Sequence, residues 1–391
     1  MEHATLDDDT LALLRASLER YRRERYDFET RKARLARTDA CDPAVWAAYA
    51  EMGWLALPLA PEEGGFGSDA RAVGALCEYS GAALALEPLF ASVVLGGRVL
   101  GLVASAASAA AAREADGTAR GPAAGEAAAA ALVGLAAGQV VLALAHAESD
   151  TDGGADAAVP LATRWSGGPS AGHLSGTKRM VLGGDRADQL VVSARDATGT
   201  LVLLLVNAHQ SGVRRAPMRL IDGRGAARLE FTAATAIPLL RGAAAAAVLD
   251  QTLLEARLAL AAEGVGAAAA LNALTLAYVK ERRQFGRPIG SNQALQHRLV
   301  DLYMLEQEGR AMLAAAWRAD AAERAVAIPA ALAQVMTLAR QAAHEAVQLH
   351  GGIGITEELA VSHYFRRCMV VNRLLGDRDA QLRACAGSNA F

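Results

Sequence analysis

The spacing of hydrophobic and polar positions changes twice along the 391-residue chain. From residue 10 to about 135, apolar positions recur at helical spacing with charged positions between them, as in LLRASLERYRRERYDFETRKARLA. From about 139, short β-branched or alternating runs are separated by Gly, Asp and Ser, which is typical of strands. Helical spacing returns from about 243 and predicts further long helices at about 293–319, 329–349 and 357–375.

This order of helical, strand-like and again helical segments predicts an α+β multidomain fold. We expect an N-terminal helical domain at 1–138, a middle β domain at 139–242 and a C-terminal helical domain at 243–391. One uncharged run, 127–147, is long enough to span a bilayer, which takes about 20 residues. About half of it is Ala and it contains Gly134, Gly138 and His146, so we predict a helix followed by a strand and no membrane insertion.

Composition restricts the class of protein. With 53% hydrophobic residues, 21% charged residues and a net charge of −3, the chain is typical of a globular protein and lacks the basic footprint of a nucleic-acid binder. The four cysteines and eight histidines show no metal-ligand spacing, so we predict no metal site. Free thiols and a polar start, MEHATLDDDT, indicate a cytoplasmic protein.

Common catalytic motifs are missing or lie in the wrong context. No G-x-G-x-x-G follows a predicted strand, and no P-loop is present. GPSAG around Ser170 has the letters of a nucleophile elbow, but no helix follows it. GGIGIT after His350 is Gly-rich but follows a helix, so by itself it predicts only a turn between helices.

The most specific segment is YVKERRQFGRPIGSNQALQHRLVDLYM, residues 278–304. In it, Arg282 can bind a phosphate through two hydrogen bonds and Phe285 can pack on an aromatic ring. Gln293, in the first turn of the next helix, can donate to an anion near that N-terminus. The structural alternative is a helix hairpin with a solvated basic end.

This segment, with AVQLHGGIGITEE, HYFRR and EMGWLALPLAPEEGGFG, resembles the acyl-CoA dehydrogenase superfamily over essentially the whole chain. Within it, the chain is most similar to the small subunit of pimeloyl-CoA dehydrogenase and to subunits of heteromeric acyl-CoA dehydrogenases. The resemblance implies a middle β-barrel and a C-terminal four-helix bundle. It also implies FAD, and fatty acid metabolism in which an acyl thioester is oxidised to the trans-2-enoyl thioester. A carboxylate would remove the α-proton while the β-hydride goes to flavin N5.

The stretch NRLLGDRDAQLR, 372–383, departs from this family at the catalytic base. The resemblance assigns the base either to position 375 or to position 256, which here are Leu375 and Ala256. Two nearby carboxylates could substitute for the base, Asp377 and Glu255, and each has a solvated or structural role as its alternative. Glu263 lies about two turns beyond Glu255 on the same predicted helix. Arg257 matches a family arginine that could orient the base region or substrate; its alternative is a buried ion pair.

The flavin contacts that the resemblance implies divide into two groups. Those expected within one chain are replaced, by Ala147, Gly153, Met180, Leu182 and Asp377. Those that family members extend to FAD in a neighbouring subunit are present, and they are Arg282, Phe285, Gln293, Gln348, Gly351 and Gly352. This division favours a partner subunit that completes the FAD site of a second, catalytic subunit.

Two alternatives remain open from the sequence. The chain could be a homo-oligomeric flavoenzyme with another base or altered chemistry, in which Met180 lies against the flavin ring. It could also be a non-catalytic subunit that binds neither FAD nor substrate. The resemblance implies a dimer or tetramer, an acyl thioester carried by CoA or a carrier protein, and an electron-accepting flavoprotein as partner.

Overall fold

A computed structural model describes residues 6–37, 40–57, 59–60, 65–66, 69–113, 122–149, 161–168 and 170–388. The helices in this part of the chain are α1 (Asp8–Arg25), α2 (Phe28–Leu35), α3 (Pro43–Glu51), α4 (Ala70–Ala83), α5 (Arg98–Arg113), α6 (Pro122–Ala136), α7 (Gly242–Glu281), α8 (Gln293–Arg318), α9 (Arg324–His350), α10 (Ala360–Val371) and α11 (Arg378–Ser388). A π-helix at Phe90–Gly97 precedes α5, and short 3-10 turns lie at Trp54–Ala56, Ile289–Ser291 and Gly351–Ile355.

The strands are β1 (Leu142–Ala145), β2 (Arg164–Gly167), β3 (Gly172–Leu182), β4 (Gln189–Arg195), β5 (Leu201–Asn207), β6 (Val213–Arg219), β7 (Gly225–Arg241), β8 (Arg283–Gln284) and β9 (Arg287–Pro288). Helices, then strands, then helices therefore follow one another along the chain. The predicted α+β fold class is confirmed.

The chain divides into two compact units that do not follow sequence order. The first unit comprises Met1–Asp8, Arg37–Val73 and Leu86–Ala256, and the second comprises Asp9–Ala36, Gly74–Ala85 and Arg257–Phe391. The N-terminal helices are thus distributed over both units, while α7 continues from one unit into the other. The three domains expected at 1–138, 139–242 and 243–391 stay a prediction.

The first unit is built around a sheet of seven strands. Five of them, β4, β2, β3, β7 and β5, pair in a ring that closes where β5 meets β4 antiparallel. The side chains that point into this ring form an apolar core that includes Trp165, Leu190, Leu204 and Phe231. Closure satisfies the backbone hydrogen bonds of both flanking strands, which an open sheet leaves exposed at its edges.

The long uncharged run at 127–147 forms the predicted helix and strand, since α6 ends at Ala136 and β1 begins at Leu142. Among the described residues, α7 is the one helix with the length and apolar composition to cross a membrane. In its most apolar window, 72% of the residues are buried within the protein, as in a core helix.

The second unit is a helical bundle in which α4 and α7 cross at two glycines. A Cβ on Gly81 would lie 2.0 Å from the carbonyl oxygen of Glu263, and a Cβ on Gly266 would lie 2.0 Å from that of Glu78. Glycine is therefore required at both positions for the two backbones to approach this closely.

Three side chains bind the carbonyl groups at the C-terminal end of α4. The Arg367 guanidinium donates to the carbonyl oxygens of Ser80 (3.3 Å) and Ala85 (2.8 Å). Arg31 Nε donates to the Leu84 carbonyl at 2.7 Å, and the Tyr364 hydroxyl donates to that of Ala82. Cations at this position satisfy carbonyl groups that a helix leaves unpaired and complement its dipole.

The C-terminal turn differs from the sequence-based expectation. The helix predicted at about 357–375 is present but shorter, because α10 spans Ala360–Val371 and ends four residues before the predicted end. Between α10 and α11, Leu375 has φ +55° and Gly376 has φ +91°, so both are left-handed. A left-handed residue cannot continue a right-handed helix, and the chain turns here.

Candidate functional site

The two positions that the resemblance assigns to the catalytic base carry buried apolar side chains. Leu375 is 4% exposed and Ala256 is fully buried. The Leu375 carbonyl accepts a hydrogen bond from Gln381 Nε2 at 2.6 Å, which holds the turn in place. Neither side chain has an atom that can accept a proton.

Asp377, the first candidate replacement, caps the last helix. Its carboxylate accepts a hydrogen bond from the backbone N–H of Ala380 at 2.9 Å, and its side chain is 47% exposed. The nearest guanidinium, that of Arg373, lies 4.0 Å from the carboxylate. The geometry is that of an N-cap, which stabilises α11 by satisfying an unpaired backbone donor.

We expect an Asp377→Ala variant to lose about 1 kcal/mol of unfolding free energy, because the N–H of Ala380 loses its partner. Urea denaturation followed by circular dichroism measures this loss. Asp379→Ala, two residues along in the first turn of α11, is the control and should change stability by less than half as much. Equal effects of the two substitutions would contradict the capping role.

Glu255, the second candidate, forms an ion pair with Arg98. Arg98 Nε lies 2.5 Å from Glu255 Oε2 and Arg98 Nη2 lies 2.9 Å from Oε1, while Gln251 Nε2 also donates to Oε1 at 3.0 Å. Both carboxylate oxygens are therefore engaged by one guanidinium. A carboxylate held in this way is a structural anchor, and neighbouring residues on a helix point about 100° apart, so Glu255 does not occupy the place of the Ala256 side chain.

A second ion pair, which the sequence did not reveal, is fully buried in the second unit. Arg367 Nη1 donates to Glu263 Oε1 at 3.0 Å, and both side chains are completely inaccessible to solvent. Arg257, the first residue of α7 in that unit, is half-buried. Its predicted role in orienting the base region or the substrate stays a prediction.

In the β domain, a buried polar cluster surrounds Lys178. Its ammonium group donates to Glu148 at 2.6 Å, to the His146 carbonyl at 3.0 Å and to Ser193 Oγ at 3.2 Å. His146 Nδ1 lies 2.8 Å from the same Ser193 Oγ. Burial lowers the pKa of Lys178 to about 8, although the Glu148 carboxylate acts in the opposite direction.

The lowered pKa of Lys178 predicts that the contribution of this residue to stability rises with pH between about 8 and 10.5, its ordinary value. In this window the unfolded chain binds the proton and the folded chain does not, so the unfolding free energy increases by up to about 3 kcal/mol. In urea denaturation across this range, the unfolding free energies of wild type and of the control Lys280→Met should rise with pH relative to that of Lys178→Met. If the unfolding free energies of all three proteins changed with pH in the same way, the role assigned to Lys178 would be contradicted.

The residues expected to reach a neighbour's FAD lie on the surface of the second unit. Arg282 follows the end of α7 and is exposed, and a hairpin of β8 and β9 comes next. Its two-residue turn has φ +51° at Phe285 and φ +79° at Gly286, the signature of a type I′ turn. The Phe285 ring is 101% exposed. Because left-handed backbone costs a non-glycine residue about 1–2 kcal/mol, this turn is strained and presents an aromatic ring to solvent.

The rest of this set lies at the adjoining end of α9. Gln348 is exposed, and Gly351 ends the helix with φ +69°. A Cβ on either Gly351 or Gly352 would have no atom within 4 Å, so the backbone is open to an incoming group. The Tyr278 ring, one turn before Arg282, stacks on His350 with centroids 4.1 Å apart. This contact joins the ends of α7 and α9, so the structure brings both halves of the predicted set together.

The donor chemistry of these residues fits one part of FAD and not another. On the second unit, one guanidinium and two amides are exposed beside an open glycine backbone, a combination suited to a pyrophosphate and an adenosine. In the β domain, Ala147, Met180 and Leu182 offer no side-chain hydrogen bond to the flavin ring. Gly153, the other replaced position, lies outside the described residues.

Comparison with known proteins assigns the C-terminal part of the chain to a family. Residues 246–388 match the family described as "Acyl-CoA dehydrogenase, C-terminal domain". The structure of a variant of the Tcur3481–Tcur3483 steroid acyl-CoA dehydrogenase is 27% identical, covers 98% of both chains and superposes with a TM-score of 0.80. Residues 246–388 therefore belong to the acyl-CoA dehydrogenase superfamily, and the whole chain is similar in fold to a steroid acyl-CoA dehydrogenase of that superfamily.

Curated members of this superfamily match over the C-terminal part. Acyl-CoA dehydrogenase IpdE2 of Mycolicibacterium smegmatis is 44% identical over 137 residues, which are 34% of this chain and 42% of the relative. The match thus spans about two fifths of that relative's length.

Two further solved structures of the superfamily share the fold. The ChsE4–ChsE5 complex of Mycobacterium tuberculosis has a TM-score of 0.83 at 23% identity, covering 100% of this chain and 99% of the other. A glutaryl-CoA dehydrogenase of Mycobacterium smegmatis in complex with FADH2 has a TM-score of 0.80 at 20% identity, covering 98% and 95%. The superfamily is one of flavoproteins. The more specific similarity to the pimeloyl-CoA dehydrogenase small subunit stays a prediction.

Proposed function

We propose that this chain is one subunit of a two-subunit, FAD-dependent acyl-CoA dehydrogenase that oxidises an acyl thioester between its α and β carbons. In this proposal the partner subunit supplies the base and the flavin-ring site. This chain completes the binding of the same FAD from across the interface. A separate electron-accepting flavoprotein would reoxidise the cofactor.

The observation that carries the proposal is the contrast between two sets of residues. Both positions where the superfamily places a base hold buried apolar side chains, and both nearby carboxylates are engaged in structural contacts. The exposed set around Arg282 and Gly351, by contrast, keeps a guanidinium, two amides and an open glycine backbone. Removing a general base typically reduces the rate about 10²- to 10⁴-fold, so a catalytic carboxylate from another chain accounts for both findings.

The roles of this chain's residues follow from their chemistry. Arg282 would bind the pyrophosphate through two hydrogen bonds, and Gln293 at the start of α8 would donate to the same anion. Phe285 would pack against the partner, where burial of its ring offsets the strain of the turn. Gly351 and Gly352 would let the cofactor approach the backbone. FAD, when bound, supplies the hydride acceptor.

The test is the flavin content of the chain with and without a partner. Expressed alone and purified without added cofactor, the chain should be colourless. Co-expressed with an acyl-CoA dehydrogenase subunit that carries the catalytic Glu, the chain should co-purify with that subunit. The amount of FAD in the complex should be proportional to the amount of that subunit. A yellow protein with stoichiometric FAD from the chain alone would overturn the proposal and favour a homo-oligomeric flavoenzyme.

A further inference from the structure

A cavity of about 460 Å³ lies within the second unit. It opens to solvent and is lined by the corner between α1 and α2, by the last turn of α4, by α7 and by the start of α10. Cavities of this size are in the range of small-molecule sites, which span roughly 300–1,000 Å³. We refer to it as the α1–α2 cavity.

One wall of the α1–α2 cavity is an apolar face of α7. Ala270, Ala273, Leu274 and Ala277 line it, and their spacing places all four on one face of the helix. Leu274 remains 39% exposed. Phe28 and Leu84 extend the apolar surface from α2 and from the end of α4.

Another part of the lining is cationic. Arg22, Arg23 and Arg31 line it, together with one carboxylate, Asp27. Arg31 is 1% exposed; it donates to the Leu84 carbonyl at 2.7 Å and lies 2.9 Å from His363 Nδ1. Since a guanidinium only donates, the Nδ1 atom of His363 must accept, which keeps that imidazole neutral.

The carboxylates nearby are engaged elsewhere. Asp27 caps α2, accepting hydrogen bonds from the backbone N–H and hydroxyl of Thr30, both at 2.8 Å. Glu19 holds Arg22 at 2.7 Å but faces a neighbouring cavity. The pKa of the Tyr364 phenol on the cavity wall is raised to about 12 by burial, so this group is neutral, and the charged groups of the lining are three arginines and one aspartate.

We propose that the α1–α2 cavity binds a small amphipathic monocarboxylate. Its hydrocarbon chain would lie on the alanine face of α7, and its carboxylate would face Arg23 and Arg31. The apolar wall favours a hydrocarbon and the guanidiniums favour an anion, so neither a neutral lipid nor a bare anion satisfies both walls. The site lies within one unit of this chain and depends on neither FAD nor a partner subunit.

Isothermal titration calorimetry of the purified full chain tests this, with octanoate as the probe and octanamide as its neutral comparison. Octanoate should bind, and octanamide should bind at least about tenfold more weakly, because a hydrogen bond to a charged group contributes about 1.5–3 kcal/mol. Equal affinities for both compounds, or no binding of octanoate, would overturn the proposal.

Two variants locate the site. Arg23→Gln should weaken octanoate binding about tenfold, whereas Arg25→Gln, an exposed control at the end of the same helix that does not line the cavity, should leave it unchanged. Ala277→Leu fills the apolar wall without altering a charge and should abolish binding while circular dichroism shows an intact fold. Wild-type affinity for octanoate in a folded Ala277→Leu protein would overturn the assignment of the site to the α1–α2 cavity.

Discussion

An Arg367→Met variant is expected to lose about 3–5 kcal/mol of unfolding free energy, because it leaves the Glu263 carboxylate buried without its cation. The guanidinium pairs with Glu263 at 3.0 Å and also donates to the Ser80 and Ala85 carbonyl groups at the end of α4. One substitution therefore removes a buried ion pair and two helix-capping hydrogen bonds at the crossing of α4 and α7.

Chemical denaturation of the purified chain measures this effect. Arg366→Met is the matched control, since the neighbouring guanidinium pairs with Glu357, whose side chain is 70% exposed, and such pairs contribute at most about 1 kcal/mol. The double variant Glu263→Leu/Arg367→Met should recover a large part of the loss, because no charge is then left buried. Equal losses for Arg366→Met and Arg367→Met would show that the buried pair has no special importance.

An Arg282→Ala variant is expected to weaken FAD binding to the two-subunit complex by about 10- to 100-fold. A charge-assisted hydrogen bond contributes about 1.5–3 kcal/mol, and a side chain that reaches the pyrophosphate across the interface would lose it without disturbing the fold. Arg282 is exposed in the isolated chain, so its removal leaves no buried group unpaired.

The measurement is the release of FAD from the co-purified complex, followed by flavin fluorescence on dilution. Lys280→Ala removes an exposed cation two residues earlier and should leave FAD retention unchanged. The isolated Arg282→Ala chain should unfold as wild type does. Unchanged FAD affinity in the complex would remove Arg282 from the proposed cofactor site, whatever the role of the second subunit.

The sequence predicted the elements whose pattern is local. The start of α7 near 243, the start of α8 at Gln293 and the beginning of the strands near 139 all agree with the structure within a few residues. The α9 helix begins at Arg324 rather than 329, with Pro329 inside its second turn. Proline is favoured in the first turn of a helix, and here it lies in the second turn, where it removes one backbone hydrogen bond.

The candidate site was less predictable because its contacts join distant residues. Arg98 and Glu255 are 157 positions apart, and Arg367 and Glu263 are 104 apart, so no local pattern indicates either pair. The π-helix at Phe90–Gly97 was missed for another reason, since all eight of its residues are buried and no polar face marks its period. The Tyr278–His350 contact places the ends of α7 and α9 side by side, while the role of Arg282 and Gly351 towards FAD stays a prediction.

The strained turn at Phe285 sets two selection pressures against each other. Asn-Gly is the preferred pair for a type I′ turn, so Phe285→Asn would relax the backbone of the isolated chain. It would also delete the aromatic ring that we assign to the partner interface. A screen for heat resistance carried out on this subunit alone would therefore enrich for variants whose turn no longer supports assembly with the partner. Thermostability engineering therefore needs the complete complex as its starting material.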